Sequence, residues 1–346
     1  MKPSDLGTLF DDLVLKGGKT LVELSRPLDI APAHGTRYDI GQLAALVRGA
    51  AGWLHATGVR PGDRVAIVKA NHWDYVLLAC AAVRVGAIPA LLSDHLSPHT
   101  LQLLLKRLDP ALLVTTRVVL SRARDAETDL IGFARRTLTL DGSYPDAIDV
   151  ENVRGTVPPP PVHRGVDDSL VVNHTSGTTG TPKGANRSSP QSLDPAVSLL
   201  SKIPLHYRQT THIAAPLFHS WGFAHLTMSM LLQSTIVLTR KFDPEDCLAQ
   251  IERTRAESLV VVPVMMSRIL ELDEDVKRKY DTSALKVVAA SGSALPGDLA
   301  EKWMDEFGDN VYNLYGSTEV AWATIATPQD IRAAPGTAGK APRGTV

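Results

Sequence analysis

The segment H-T-S-G-T-T-G-T-P-K-G at residues 174–184 combines the residue types best suited to holding an anion. Its glycines can adopt positive φ and let a ligand approach the backbone closely, and they are Gly177, Gly180 and Gly184. Short hydroxyl donors come from Thr175, Ser176, Thr178, Thr179 and Thr181. Lys183 adds one ammonium group. Backbone N–H groups, hydroxyls and a cation in one loop favour a polyphosphate ligand.

The spacing of this loop differs from that of a Walker A motif. Counting from Gly177, the position that needs glycine holds Pro182, and Lys183 is followed by Gly184 rather than by serine or threonine. A surface turn rich in serine, threonine and glycine is the alternative interpretation of the same composition. The apolar residues 169–173 predict a strand immediately before the loop, and α/β sheets place ligands at such strand ends.

Three further polar segments each follow an apolar one, at residues 216–222, 290–296 and 313–319. Strand ends of one sheet lie side by side, so these segments can converge on one crevice. In the first segment, P-L-F-H-S-W-G, a neutral His219 can hydrogen-bond an acyl oxygen and the Trp221 ring can close a pocket. A core cluster of aromatic residues would have the same composition.

The other two segments suit a purine nucleotide. In A-S-G-S-A-L-P, small side chains allow a base to stack on the backbone, and they are Gly292, Ser293 and Ala294. In N-L-Y-G-S-T-E, the Asn313 amide can recognise a purine edge and the Tyr315 ring offers stacking area. The Glu319 carboxylate needs a metal ion if it lies beside polyphosphate. A turn between a strand and a helix is the simpler alternative for both.

In this order the four segments resemble the motifs of the adenylate-forming superfamily, which includes acyl-CoA synthetases, peptide-synthetase adenylation domains and luciferases. The resemblance covers essentially the whole chain. It implies an acid–thiol ligase that uses ATP and Mg²⁺ to convert a carboxylic acid to an acyl-adenylate, and AMP is released when the acyl group passes to a thiol, usually coenzyme A. Residues in contact with the nucleotide would be 175–181, Lys183, Gly292, Ser293, Ala294, Asn313, Leu314, Tyr315, Gly316, Ser317 and Thr318.

The resemblance also implies individual roles. Asn313 pairs with the adenine amino group, and the Tyr315 ring stacks on the base. Thr318 binds the α-phosphate, and Glu319 binds the magnesium ion as a hard oxygen ligand. The catalytic set is Lys183, His219, Thr318 and Glu319.

The acyl pocket implied by the resemblance is apolar. Its expected residues are His219, Trp221, Phe223, Val262 and Met265, and the apolar residues 260–266 are interpreted as a strand. Relatives that activate amino acids carry an aspartate after the phenylalanine of this region, whereas Phe218 is followed here by His219. Fatty, aryl and polycyclic acids remain open. The chain also resembles acyl-CoA ligases of actinobacterial secondary metabolism, including terpenoid-acid ligases.

Hydrophobic periodicity predicts an α/β fold with mostly parallel sheets in α-β-α layers. Helices are predicted at residues 40–55, 74–85, 98–108, 194–200, 224–232, 244–254 and 299–307. Strands are predicted at residues 64–68, 87–92, 111–115, 136–140, 169–173, 212–216, 235–239, 258–262, 285–290 and 311–314. The proline-rich residues 154–168 predict a linker, which gives subdomains at 1–165 and 166–335. Residues 336–346 are expected to begin a smaller β subdomain.

The family normally continues beyond this point with a ribose-binding aspartate, a hinge and a small domain that carries a catalytic lysine. Lys340 lies too early to be that lysine. We therefore expect the sequence to be the large N-terminal domain of a longer enzyme, with low activity by itself. Two alternatives are an acyl-AMP ligase that loads a carrier protein and a non-catalytic nucleotide- or acyl-binding remnant.

Composition and charge argue against several other classes of protein. Charged residues make up 21% and the net charge is −1, so no global field favours nucleic acid. The N-terminus does not resemble a signal peptide, and no apolar run is long enough to span a membrane, so we expect a cytoplasmic protein that is not integral to a membrane. Cys80 and Cys247 lie in apolar segments and are expected to be buried thiols.

Overall fold

The computed structural model describes residues 6–162, 169–175, 183–188, 194–317 and 321–342, with side chains for 6–162, 197–316 and 323–342. The chain divides into two compact units. The first comprises Met1–Gly18 and Arg26–Gln191, and the second comprises Lys19–Ser25 and Ser192–Val346. The division thus falls later in the chain than the proline-rich residues 154–168, at which we expected a subdomain boundary.

Helices and strands alternate along the described chain. The α-helices are α1 Leu9–Leu15, α2 Ile40–Ala56, α3 Asp74–Arg84, α4 Pro98–Leu108, α5 Arg117–Asp125, α6 Asp194–Leu200, α7 Ser220–Leu231, α8 Pro244–Thr254, α9 Pro263–Leu270, α10 Glu274–Lys277, α11 Gly297–Phe307 and α12 Pro328–Ala333. The strands are β1 Leu21–Leu24, β2 Arg37–Asp39, β3 Arg64–Lys69, β4 Ile88–Ser93, β5 Leu112–Thr115, β6 Thr137–Thr139, β7 Ile148–Asp149, β8 Ser169–Thr175, β9 Lys183–Ser188, β10 Thr210–Ile213, β11 Thr235–Leu238, β12 Ser258–Val261, β13 Val287–Ala290, β14 Val311–Ser317 and β15 Ala321–Ala326. Short 3₁₀ helices occur at Pro32–His34, Ile131–Phe133 and Val150–Asn152.

The sheet of the first unit has the strand order β7-β6-β5-β3-β4-β8-β9. Its strands run parallel except β9, which pairs antiparallel with β8. Strands β3, β4 and β5 are apolar along most of their length, as expected for parallel strands covered on both faces. Their side chains pack with α4 and α5 in one hydrophobic cluster that includes Leu104 and Leu120.

A charged cluster lies inside this unit where β3 passes into α3. Lys69 Nζ is 2.9 Å from Asp74 Oδ2 and 2.9 Å from Asp29 Oδ2, and the side chains of Lys69 and Asp74 are fully buried. His72 Nδ1 lies 3.2 Å from Asp74 Oδ2. The backbone N–H groups of Asp29 and Ile30 also donate to the Asp74 carboxylate. Burial alone would raise the pKa of Asp74, but the Lys69 ammonium and His72 hold that pKa well below its usual range.

The sheet of the second unit includes the strand order β15-β14-β13-β12-β10-β11-β1. All of these pairs are parallel except β14 with β15. The main hydrophobic cluster of this unit joins α8, α9 and α11 to the sheet, and it includes Ile251, Met266 and Trp303. Because β10, β12, β13 and β14 are parallel neighbours, their carboxyl ends lie at one edge.

The predicted α/β class and the dominance of parallel strands are confirmed. Most predicted elements recur within a few residues, and α4 and α8 have the predicted bounds. Cys80 and Cys247 are buried thiols outside any disulfide, as expected. Among the described residues, no helix combines the length and apolar character needed to cross a membrane.

Three predicted elements were wrong in their extent. Helix α7 begins at Ser220 rather than at residue 224, so Trp221 lies in its first turn. Residues 263–270 form helix α9 instead of prolonging the strand that ends at Val261, because Pro263 at the first helical position is preorganised for a helix. Strand β14 continues to Ser317, so Tyr315 lies in a strand paired with β15 and not in a loop.

Candidate functional site

Four parallel strands of the second unit, β10, β12, β13 and β14, end side by side, and the candidate site lies at these ends. Ile213 of β10 pairs with Val260 of β12, Val261 pairs with Ala290 of β13, and Ala290 pairs with Asn313 of β14. The three polar segments predicted to converge therefore leave one sheet at adjacent positions.

The segment after β10 leaves the sheet abruptly and leads into α7. The backbone N–H groups of Ala214 and Ala215 both donate to Val260 O, at 3.0 and 2.9 Å. His219 is the N-cap residue of α7, and its side chain makes no capping hydrogen bond. Its ring is half-buried and packs on the Phe218 ring at a centroid distance of 4.6 Å. Burial lowers the pKa of His219, so the imidazole is neutral at pH 7.

Trp221 fixes the first turn of α7 against β12. Its Nε1–H donates to Val261 O at 3.1 Å, and the ring is almost completely buried. Buried tryptophan needs a partner for its N–H, and this partner is the last residue of the neighbouring strand. The side chain predicted to close the acyl pocket thus lies at the carboxyl end of the sheet.

Gly222 allows this helix turn to approach the preceding backbone. A Cβ at this position would lie 2.8 Å from Ala215 O and would also overlap Pro216 O. Both atoms belong to the backbone and cannot rotate away. The glycine therefore sets how closely α7 can approach the segment that follows β10.

The resemblance to the adenylate-forming superfamily predicts that Gly222→Ala raises the KM for the acid while leaving the affinity for ATP nearly unchanged. The added methyl group must displace the turn that carries His219 and Trp221, and such overpacking costs about 1–3 kcal/mol of stability. Thermal unfolding and acid-dependent pyrophosphate release would measure both effects. Gly49→Ala is the matched control, because a Cβ at that helical glycine of α2 meets no atom within 4 Å. Equal effects of the two substitutions would contradict this role of Gly222.

The segments after β12 and β13 lie beside each other. Gly292 has φ +95°, and a Cβ built there would lie 3.2 Å from Val262 Cγ1. Val262 is the N-cap residue of α9. Met265 of α9 is only 8% exposed and packs in the core cluster with Ala290. The predicted acyl residue Val262 and the predicted adenine residue Gly292 are therefore neighbours, whereas Ser293 and Ala294 are exposed beside them.

Side chains change from buried to exposed along the end of β14. Asn313 and Leu314 are buried, and Tyr315 is 63% exposed. The ladder with β15 shifts register between Tyr315 and Gly316, which marks a β-bulge. Asn313 Nδ2 donates to Thr337 O at 3.4 Å. One of the two Nδ2–H groups is used in this way, and the amide oxygen Oδ1 is the type of acceptor that an exocyclic amino group requires.

The turn at residues 334–337, whose Thr337 carbonyl accepts a hydrogen bond from Asn313, also packs closely against a glycine. A Cβ at Gly297, the first residue of α11, would lie 2.7 Å from Gly336 N. Thr337 N donates to Ala334 O, and Lys340 pairs with Ile325 of β15. Residues 334–340 thus pack beside Asn313 and the first residue of α11. The further β subdomain expected from residue 336 stays a prediction, and residues 343–346 lie outside the described residues.

The predicted phosphate loop belongs to the first unit. Strand β8 pairs with β4 and ends at Thr175, and β9 begins at Lys183, with Thr175 paired to Lys183 across the antiparallel ladder. The predicted strand before the loop is confirmed, whereas β9 was not predicted. Ser176, Gly177, Thr178, Thr179, Gly180 and Thr181 lie outside the described residues, as do the Lys183 and Thr175 side chains.

Two of the predicted catalytic residues cannot be placed. Thr318 and Glu319 lie outside the described residues, between Ser317 of β14 and Ala321 of β15. Phe223, assigned to the acyl pocket, is half-buried on α7. Within the described part of the chain, no group of three histidine, cysteine, aspartate or glutamate side chains could hold a metal ion.

Sequence reasoning missed four residues that shape this site. Gly222 and Gly297 matter because backbone approaches them, and Thr337 matters because it contacts Asn313 from a distant segment. The fourth is His225, which is buried on α7 with its ring 4.3 Å from that of Trp221. The i, i+4 spacing of Trp221 and His225 was the available signal for the last of these.

The chain belongs to the family of AMP-binding enzymes, whose model matches residues 23–346. It is 32% identical over 289 residues to a feruloyl-CoA synthase of an Amycolatopsis species, covering 83% of this chain and 55% of that protein. It is 38% identical over 201 residues to the 3-amino-2-hydroxy-4-methoxybenzoate diazotase of Streptomyces cremeus, covering 51% of this chain and 36% of that protein. The chain spans about half the length of the curated relatives it matches.

A solved structure supports the fold. The inhibitor-bound N-terminal domain of FACL13 from Mycobacterium tuberculosis superposes with a TM-score of 0.82 at 22% identity, covering 99% of this chain and 83% of that chain. At this identity the likeness concerns the fold alone. The resemblance to the adenylate-forming superfamily is thereby confirmed at the level of family and architecture.

Proposed function

We propose that this chain binds ATP and a hydrophobic carboxylic acid and catalyses formation of the acyl-adenylate, which the whole protein then transfers to coenzyme A. The observation that supports this proposal most strongly is that the predicted acyl residues and the predicted adenine residues are neighbours. Trp221 donates a hydrogen bond to Val261, a Cβ built on Gly292 would lie 3.2 Å from Val262 Cγ1, and Ala290 pairs with Asn313. Membership in the AMP-binding family supports assigning these neighbouring positions to one nucleotide and one acid.

The reaction needs no covalent bond to the enzyme. A carboxylate oxygen of the acid attacks the α-phosphorus of ATP, the bond from that phosphorus to the bridging oxygen breaks, and pyrophosphate leaves with the electron pair. Catalysis then consists of positioning and of neutralising charge on the phosphate oxygens. Magnesium would supply part of that neutralisation, with Glu319 as its carboxylate ligand.

The remaining interactions with the acid and the nucleotide come from residues of the protein. Neutral His219 donates an N–H to the acyl oxygen. The family resemblance assigns binding of the outer phosphates to Lys183 and the loop at residues 175–181. Thr318 holds the α-phosphate. Tyr315 stacks on the adenine, for which its exposed ring at the end of β14 is available.

An acid that carries a ring is favoured over a plain fatty acid. The two relatives above are named for ferulate and for a substituted benzoate, and both are ring-bearing acids. Trp221, Val262 and Met265 offer flat and apolar contacts that suit such a group.

Pyrophosphate release from ATP, screened against aryl, fatty and polycyclic acids, tests this proposal. We expect release that depends on both the acid and Mg²⁺, with ring acids most active. Parallel assays with coenzyme A and with a phosphopantetheinyl carrier protein would distinguish the two thiol acceptors. Binding of ATP without release for any acid would instead favour a non-catalytic nucleotide-binding module.

A further inference from the structure

The main chain of Thr337 determines which end of the Asn313 amide is left to meet a ligand. Asn313 is 8% exposed at the end of β14, and its Nδ2 donates to Thr337 O at 3.4 Å. A backbone carbonyl can only accept a hydrogen bond, so the amide must present its nitrogen, and not its oxygen, to this atom. Because the amide group is planar, Oδ1 then faces away from Thr337.

The Thr337 carbonyl is itself fixed by the turn around it. Thr337 N donates to Ala334 O at 3.1 Å, and Thr337 Oγ1 accepts from Gly339 N at 3.1 Å. Lys340, the residue after that glycine, exchanges two backbone hydrogen bonds with Ile325 of β15, at 3.0 and 3.1 Å. The turn at residues 334–340 is therefore tied internally by two hydrogen bonds and to the sheet by two more.

Strand β15 connects this turn to Asn313. Ala326 of β15 pairs with Asn313 across the antiparallel ladder, and it follows Ile325 directly. A Cβ at Gly339 would overlap Ala326 N, so the glycine lies against the same strand. The backbone of Asn313 and the carbonyl that its side chain meets are thus both anchored to β15, which sets the distance between them.

The orientation of the amide limits the purine that it can recognise. A 6-amino purine presents an N–H donor at its edge, whereas a 6-oxo purine presents an acceptor at the same position. Oδ1 of Asn313 can only accept, so a 6-oxo group would place two acceptors opposite each other. Turning the amide over would match the 6-oxo group, but it would bring Oδ1 against Thr337 O instead. Either arrangement with a 6-oxo purine leaves one pair of acceptors in contact.

We propose that Thr337 is a positioning residue whose carbonyl fixes the Asn313 amide, so that the site accepts a 6-amino purine nucleotide and rejects a 6-oxo one. The inference rests on the proposed function, because it takes Asn313 as a residue that meets the base. It adds a residue that is distant in sequence and that acts through Asn313. A site built to hydrogen-bond one group discriminates strongly against an analogue that lacks it.

Isothermal titration of this chain with ATP and with inosine triphosphate measures the selectivity without requiring turnover. The two nucleotides share their sugar and phosphates, and inosine carries the 6-oxo group. We expect the wild type to bind ATP at least about tenfold more tightly. Thr337→Val removes the hydroxyl that accepts from Gly339 N, so the carbonyl can shift. The affinity ratio should then fall at least about threefold, mainly through weaker binding of ATP.

Three further variants separate positioning from a general loss of structure. Thr337→Ser keeps the hydroxyl and should keep the affinity ratio. Gly297→Ala should lower the ratio by a second route, because a Cβ there would lie 2.7 Å from Gly336 N and must displace the turn. Thr254→Val is the matched control, since half-buried Thr254 of α8 donates its hydroxyl to Gln250 O, and it should leave the ratio unchanged.

Several results would overturn the inference and leave the proposed function standing. They are equal affinity of the wild type for the two nucleotides, and an unchanged ratio in both Thr337→Val and Gly297→Ala. An equal loss of affinity for ATP and inosine triphosphate in these variants would also overturn it, because a merely structural role weakens both together. Absence of binding by either nucleotide to the wild type would contradict the proposed function itself, and the inference with it.

Discussion

Replacing Glu319 by glutamine is expected to reduce Mg²⁺-dependent pyrophosphate release by about 100-fold or more. Glutamine has nearly the same shape as glutamate but lacks the negative charge that a magnesium ion prefers in its ligands. The substitution should therefore remove metal binding without removing the side chain. The free energy of unfolding should change by no more than about 0.5 kcal/mol.

The matched control for this variant is Glu271→Gln. Glu271 is exposed at the end of α9 in the same unit, so its loss of charge should leave catalysis unchanged. Titration of Mg²⁺ at saturating ATP separates a metal effect from a nucleotide effect, because weaker metal binding raises the Mg²⁺ concentration needed for half-maximal rate. Unchanged release in Glu319→Gln would show that the metal ligand lies elsewhere.

Replacing Lys69 by methionine is expected to destabilise the protein by about 3–5 kcal/mol. Lys69 bonds to both Asp29 and Asp74 at 2.9 Å, and the Asp74 side chain is fully buried. Methionine fills similar space but leaves a buried carboxylate without its cation. Lys106→Met on α4 is the control, because Lys106 is exposed and its replacement should cost no more than about 0.5 kcal/mol.

The double variant Lys69→Met with Asp74→Asn separates charge from packing. Removing both charges should recover at least about 1 kcal/mol of the loss, because the two sites are coupled. Full additivity of the two substitutions would contradict an ion pair that stabilises the fold.

Low pH should remove the stabilisation that the Lys69–Asp74 ion pair provides. The folded pKa of Asp74 lies below its unfolded value, so its stabilising contribution is present above about pH 4 and is lost as pH falls further. The wild type and Lys69→Met should therefore converge in stability in strong acid. Urea unfolding at several pH values measures this, and a gap that stays constant would contradict the assignment.

The strands and helices with clear periodicity could be predicted from the sequence, and those whose position depends on a neighbour could not. Apolar strands such as β5 and β12 and amphipathic helices such as α4 and α8 carry the signal in their own residues. Strand β9 has little apolar periodicity, and it forms because β8 offers an edge on which to pair. Local propensity does not contain that information.

The site residues divide in the same way. The motif segments identified His219, Trp221 and Asn313, because their side chains suggest a chemistry. The start of α7 was misplaced because Gly222 disfavours helix by about 1 kcal/mol, although the backbone of Ala215 leaves no room for any larger residue. The contact from Thr337 to Asn313 joins residues far apart in sequence, so no local pattern announced it.

Isothermal titration with an acyl-sulfamoyl adenosine carrying a ring acid tests most directly whether the acyl and adenine positions of the second unit are contiguous. We expect this stable analogue of an acyl-adenylate to bind at least about tenfold more tightly than AMP. The gain should shrink in Gly222→Ala, which displaces α7, and persist in Gly49→Ala. Binding no tighter than AMP, or no binding at all, would contradict a single site for nucleotide and acid.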